Sequence, residues 1–297
     1  MKRMRIPLLC ALGVGVVGII LGSFFDFQIS SAIANPKSII GLLISAIGPT
    51  IGFGAVALMG GGFIAFGLKK NYHIALRILF FVLAACCFGV SIFYPAGEDF
   101  GVNGFYWVAP KAVGYAIVLL PEAAACVGGY FLFRNVENEK MWIIWCVVIG
   151  LLLIALLAII PTVKDFVRRP RYRAIIAYEG VTFHNWWEPC SNYKDLMKQY
   201  GIESSDHFKS YPSGHSAEAS ILIVAATFFP MADKKFHKYQ LPAFYIACGI
   251  TALVMFARIL AAAHFLSDVS WGMSIVVSLT FIANEVVMRV KPLKVEE

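Results

Sequence analysis

Eight apolar runs divide the chain, at 6–25, 39–68, 75–94, 112–133, 141–160, 212–231, 241–263 and 265–288. About 20 apolar residues are needed to cross a bilayer as a helix. In hydrocarbon every backbone polar group must be satisfied within the segment, which leaves the helix as the spanning element for runs of this kind. The pattern therefore predicts an all-α, polytopic transmembrane helix bundle of about eight spans. Composition agrees, because 59% of the 297 residues are hydrophobic and 14% charged, against roughly 45–50% and 25% in soluble domains. The second run is overlong and contains Gly48-Pro49, where a tilt or kink is expected. Gly60-Gly61-Gly62 lacks the Gly-Lys-Ser/Thr of a P-loop and lies within a span, so it predicts close helix packing. The first run follows Met-Lys-Arg-Met-Arg and exceeds the apolar core of a signal peptide, so an uncleaved anchor is expected.

Basic residues in short loops set the orientation. With the N-terminus inside, the inner segments carry Lys2, Arg3, Arg5, Lys69, Lys70, Arg77, Arg134, Lys140, Lys234, Lys235, Lys238, Arg289, Lys291 and Lys294. Two of the outer loops carry only Lys37 and Lys111. Both termini are then cytoplasmic in a multi-pass cell-membrane protein. The net charge of +7 reads as membrane anchoring, with no nucleic-acid partner implied. The chain forms one integrated membrane domain: five spans over 1–161, then 162–297 with a long outer loop at 162–211 and three spans. The seven cysteines show no zinc-like spacing. Cys190 is the one cysteine outside the apolar runs, and it is expected to be reachable from outside.

Three polar clusters fall on that outer side, where the inside rule predicts few cations. The first is Lys164-Asp-Phe-Val-Arg168-Arg169-Pro170-Arg171-Tyr172-Arg173, five cations in ten residues. Guanidinium forks match phosphate oxygens, and a lysine supplies a point charge. The second is Tyr211-Pro212-Ser213-Gly214-His215-Ser216 before the sixth span. It offers helix capping and backbone N–H groups to an anion, with a histidine beside it. The third is Arg258-x5-His264-x3-Asp268. An Arg, a His and an Asp near bilayer depth point to function by default. Asp268 is four after His264 and is expected to accept its Nδ1–H, with a turn near 261–263 bringing Arg258 alongside. Arg168, Arg169 and Arg173 are expected in solvated or headgroup-contacting roles. Trp186-Trp187 is expected to anchor the loop at the interface, and Glu122 and Glu285 are carboxylates whose partners the sequence does not identify.

Lys164-x6-Arg171, Pro212-Ser213-Gly214-His215 and Arg258-x5-His264-x3-Asp268 resemble, in order and spacing, the signature motifs of the type 2 phosphatidate phosphatase superfamily. That superfamily includes membrane lipid phosphatases, undecaprenyl pyrophosphate phosphatases, glucose-6-phosphatase and vanadium haloperoxidases. The resemblance implies a core like the phosphatidate phosphatase/haloperoxidase helical bundle. It implies hydrolysis of a lipid phosphomonoester or pyrophosphate, such as phosphatidate, phosphatidylglycerophosphate or a polyprenyl pyrophosphate. By it, His264 attacks phosphorus, His215 protonates the leaving oxygen and Asp268 orients His264. Lys164, Arg171, Ser213, Gly214 and Arg258 hold the phosphate, and neither a metal nor another cofactor is needed. The partners implied are the lipid phosphate substrate and membrane lipids. A phosphotransferase using the same site and a non-catalytic phosphate-lipid binder or transporter are the alternatives. Tyr172 and Ala257 stand where the family has Pro and Ser, and two of the five spans before the first motif are additional to its pattern.

Overall fold

The computed structural model describes residues 2–99 and 111–289. Lys291, Lys294 and the connection at 100–110 lie outside the described residues. The elements are α1 Arg5–Ile33, α2 Ile39–Gly67, α3 Ile74–Asp99, α4 Lys111–Phe133, α5 Glu139–Val167 and the short α6 Tyr172–Ala177 and α7 Tyr193–Gln199. They continue with α8 Gly214–Ala219, α9 Ile221–Ala232, α10 Gln240–Leu260 and α11 Leu266–Arg289. Eight stretches are long and apolar enough to cross a membrane, with α8 and α9 together forming one of them. The chain is a multi-pass membrane protein. Its outward faces carry Leu120, Phe24 and Phe166 in exposed positions, as hydrocarbon requires. Pro49 sits inside an unbroken α2.

The span made by α8 and α9 is the centre of the bundle, with 83% of its apolar window buried. Small residues let the neighbouring helices approach closely. On α1, a Cβ at Gly15 or Gly18 would sit 2.2 Å from the hydroxyl of Ser274 or Ser270 on α11. These helices lie antiparallel, and Arg5 pairs with Glu285 at 2.5 Å at their far end. Glu285 thereby has its partner. The glycine run packs as expected: a Cβ at Gly61 would lie 1.8 Å from the Cys126 carbonyl on α4, and one at Gly62 would meet Trp142 at 2.2 Å.

The helix α2 also joins the N-terminal spans to the rest. A Cβ at Gly52 would fall 2.0 Å from the carbonyl oxygen of Glu218 on α8, and one at Gly41 would lie 3.2 Å from Leu260 of α10. The C-terminal ends of α1, α5 and α10 and the N-terminal ends of α2, α8 and α11 share one end of the bundle. The loop between α5 and α8 covers that end. Its own small core holds Ala174, Val181, Cys190, Ile202 and Phe208. Cys190 is therefore buried, not reachable as expected from its place in a polar segment, and burial pushes its thiol up to about 11. Of the Trp186-Trp187 pair, Trp187 is 49% exposed, while Trp186 makes contacts within the protein. Its indole N–H donates to Ser23 Oγ at 3.0 Å, and its ring packs against Tyr211 and Trp271.

Candidate active site

Local sequence delivers each cluster to this end. Helix α5 stops where Arg168 adopts a left-handed conformation (φ 52°) and Pro170 follows, which leaves Lys164 in the last turn. Cations favour that position because the carbonyl end of a helix is negative. Helix α8 starts at Gly214, capped by the Ser213 hydroxyl, which accepts from Ser216 N at 3.4 Å. The expected turn after α10 is present. Ala262 has φ 56°, and the carbonyl of Arg258 accepts from the amides of Ala263 and His264 at 3.1 and 3.2 Å. The chain doubles back there and sets His264 beside Arg258.

The predicted residues converge. A Cβ at Gly214 would lie 3.2 Å from Lys164 Nζ, so the first and second clusters touch. His264 is fully buried, and its pKa is held well below the ordinary histidine value. Burial is the largest cause, followed by the charges of Arg171, Arg258, Lys164 and His215. The imidazole is therefore neutral at physiological pH. Its Nδ1 lies 2.6 Å from the carbonyl oxygen of Ser210. A carbonyl only accepts, so Nδ1 carries the hydrogen and Nε2 the lone pair. Nε2 is buried without a hydrogen-bond partner among the described residues, and so is Arg171 Nε. Two such atoms beside the cluster's cations fit an anion that takes donors from arginine and electrons from histidine.

The expected bond from His264 to Asp268 is not made, because Oδ2 is 3.9 Å from Nδ1. Asp268 is fully occupied elsewhere. Oδ1 accepts from Arg169 at 2.5 Å, while Oδ2 accepts from Ser210 Oγ at 2.5 Å and from Phe265 N at 2.9 Å. It fixes the backbone on both sides of the imidazole instead of the ring itself. Arg169, expected in a solvated role, is fully buried. Its Nη2 donates to Asp26 on α1 at 2.9 Å, its Nε to the His184 carbonyl at 2.8 Å, and its guanidinium lies over Phe265. Asp26 also accepts from Ser267 N at 2.9 Å and from the Ser267 hydroxyl.

Two of the remaining arginines are tied to one carboxylate. Asp206 accepts from Arg171 at 2.6 Å and from Arg173 at 2.8 Å. Burial alone would raise its pKa, but Arg171, Arg173, Lys164 and Arg258 together hold it down at about 2. Arg168 turns away to pair with Asp165 at 2.6 Å and to cover Tyr193. Among the described residues, no group of three or more His, Cys, Asp or Glu has the arrangement to hold a metal ion.

Residues 139–291 match the family model of the PAP2 superfamily. The chain belongs to the PAP2 superfamily. No curated protein and no solved structure matches the chain. The PAP2 match begins at α5, so α1 to α4 lie outside it. Asp26 nevertheless comes from α1 and is in direct contact with Arg169 of the PAP2 part. Sequence reasoning passed over Asp26, Ser210, Asp206 and Glu218. A carboxylate directly after the first apolar run, within the same helix α1, was the signal for Asp26, while nothing local marks a serine whose carbonyl matters. Tyr172, where the PAP2 pattern has Pro, bridges the loop to α1: its hydroxyl is 3.2 Å from Ser31 Oγ and its ring meets Phe27 and Phe265.

Proposed function

We propose that this PAP2 protein is an integral membrane phosphatase that hydrolyses a lipid phosphomonoester or pyrophosphate through a phosphohistidine at His264. The carrying observation is the neutral, buried His264, which keeps its lone pair on Nε2 and lies within the field of Lys164, Arg171 and Arg258. Phosphoryl transfer asks a protein mainly for positioning and charge neutralisation. Lys164, Arg171 and Arg258, with Ser213 and the Gly214 amide, neutralise and orient the phosphate oxygens, so the reaction needs no metal. His264 Nε2 attacks phosphorus in line. His215 gives its proton to the leaving oxygen and then takes one from the water that hydrolyses the intermediate. Asp268 acts as a positioning residue through Ser210 and Phe265. A binder or transporter would have no use for an oriented nucleophile, which disfavours that alternative.

Substrate tail and site are adjacent, because the loop closes the end of an apolar bundle. This supports phosphatidate, phosphatidylglycerophosphate or a polyprenyl pyrophosphate as the substrate class, drawn directly from the bilayer. The distribution of basic residues supports an extracytoplasmic site with cytoplasmic termini. Glu203→Cys in the loop is then labelled by an impermeant thiol reagent on intact cells, above the parent background, and Lys70→Cys only after permeabilisation. The reverse pattern inverts the orientation.

The deciding assay is phosphate release by detergent-purified protein from these three lipids in excess EDTA. Release is expected for at least one of them, and His264→Ala abolishes it together with an acid-labile, alkali-stable phosphoprotein formed on rapid quenching. Loss of activity on chelation, or an active His264→Ala enzyme, would sink the mechanism.

A further inference from the structure

Glu218 follows His215 by three residues on α8, so the two share a helix face. Its Oε2 is 3.8 Å from His215 Nδ1, with the side chains only 9% and 5% exposed. That is an ion-pair separation, too long for a hydrogen bond. The carboxylate also borders the phosphate site. A Cβ at Gly214 would lie 3.3 Å from Glu218 Oε1 and 3.2 Å from Lys164 Nζ. The N-terminal spans back this residue: Gly52 of α2 abuts its carbonyl, and Phe53 of α2 and Tyr94 of α3 line the crevice that Gly214 and Glu218 also line.

A negative charge inside a phosphate site opposes anion binding, so its position calls for another purpose. His215 is one of the charges that act on His264, together with Lys164 from α5, Arg171 from the loop and Arg258 from the end of α10. Each disfavours one more positive charge in a poorly solvated site. An acid for the leaving group must nevertheless hold its proton before reaction. Glu218 puts a carboxylate within 4 Å of the His215 ring, on its Nδ1 edge. By facing Nδ1 it places Nε2 on the opposite edge of the ring.

We propose that Glu218 is a positioning residue that retains the proton on His215 and directs Nε2 at the leaving oxygen. The proposal rests on the phosphatase reading. As the His264 Nε2–phosphorus bond forms, the bond from phosphorus to the leaving oxygen breaks, and the His215 Nε2 proton moves to that oxygen. The products are the free alcohol, or the lipid monophosphate from a pyrophosphate, neutral His215 and phospho-His264. Water then attacks phosphorus, its proton returns to His215 Nε2, and the His264–phosphorus bond breaks to release phosphate.

Leaving groups that differ in basicity test this. Glu218→Gln keeps size and removes charge. First-turnover release of the alcohol from an alkyl phosphate is expected to fall about 100-fold, the scale of general acid catalysis. Release of dinitrophenol from 2,4-dinitrophenyl phosphate, which needs no proton, is expected to change less than about 3-fold. Glu218→Asp, which keeps the charge, restores part of the alkyl rate and carries the same comparison if the glutamine variant fails to fold. Equal losses on both substrates would show a merely structural role and overturn the proposal. No phosphate release by the unsubstituted protein from any substrate would instead remove the phosphatase reading itself.

Discussion

Asp268 and His264 are connected through Ser210: the Asp268 carboxylate accepts from the Ser210 hydroxyl at 2.5 Å, and the Ser210 carbonyl faces His264 Nδ1 at 2.6 Å. The acidic residue four positions after the histidine therefore acts on the backbone that holds the ring. This relation separates two variants that a direct pair would not. Ser210→Ala retains the carbonyl and loses the hydroxyl, so kcat is expected to fall about 10-fold with KM little changed, since only positioning suffers. Asp268→Asn removes the charge paired with Arg169 and leaves one acceptor oxygen for the donors Arg169, Ser210 and Phe265 N, so a larger fall is expected. Steady-state kinetics on the best lipid substrate measure both. If Ser210→Ala has no effect and Asp268→Asn acts alone, the connection does not operate.

Arg169 is the common partner of Asp26 and Asp268, at 2.9 and 2.5 Å, with all three side chains fully buried. Removing one member of such a group leaves uncompensated charge, at a cost of about 3–5 kcal/mol. Arg169→Ala leaves two carboxylates facing each other and is expected to cost the most. Asp26→Asn keeps the Arg169–Asp268 pair and is expected to cost less. Thermal melting in detergent ranks them, and activity should follow the same order. A parent-like melting temperature for Arg169→Ala would show that the buried group does not hold α1 to the loop.

The spans were legible because hydrocarbon tolerates no unsatisfied backbone, so length and apolarity alone mark them. The convergence of Lys164, His215 and His264 followed from spacing and resemblance to a known pattern. What sequence could not supply was the partner of each charge. The i, i+4 rule paired Asp268 with His264, and three stronger donors (Arg169, Ser210 and the Phe265 amide) took the carboxylate instead. Arg169 sat in a cluster of five cations, where nothing local distinguishes the buried one from Arg168, which pairs with Asp165. Asp26 meets its partner across 143 residues. Such pairings are properties of the packed bundle.

Gly52 tests whether the spans outside the PAP2 match support the site. A Cβ there would lie 2.0 Å from the Glu218 carbonyl oxygen, whereas one at Gly54, half a turn on, meets nothing within 4 Å. Backbone cannot yield as a side-chain tip can. Gly52→Ala is expected to push α2 off α8 and lower phosphate release at least about 10-fold, in keeping with the sensitivity of catalysis to small misplacements. Gly54→Ala on the same helix should be near parent level. Equal activity in both variants would mean that α2 is not a support for α8.

His207 sets the acid response of the loop. Burial, then the charges of Arg173 and Arg171, push its pKa down to about 4 from 6.5. Between those values the unfolded chain binds a proton that the folded loop refuses, so the unfolded state gains as pH falls. Stability is therefore complete above pH 6.5 and declines toward pH 4, with His264 adding a shift of the same sign. Asp206 does not contribute in this window: with its carboxyl held at about 2, its stabilisation is full above the ordinary aspartate value and is lost only on acidifying toward pH 2. Melting temperatures should fall from pH 7 to pH 4.5 in the parent protein. His207→Gln keeps the backbone carbonyl that accepts from Arg171 N at 2.8 Å and removes the titration, so its curve should be flatter over the same range. Parallel curves for the two proteins would assign the acid sensitivity to other groups.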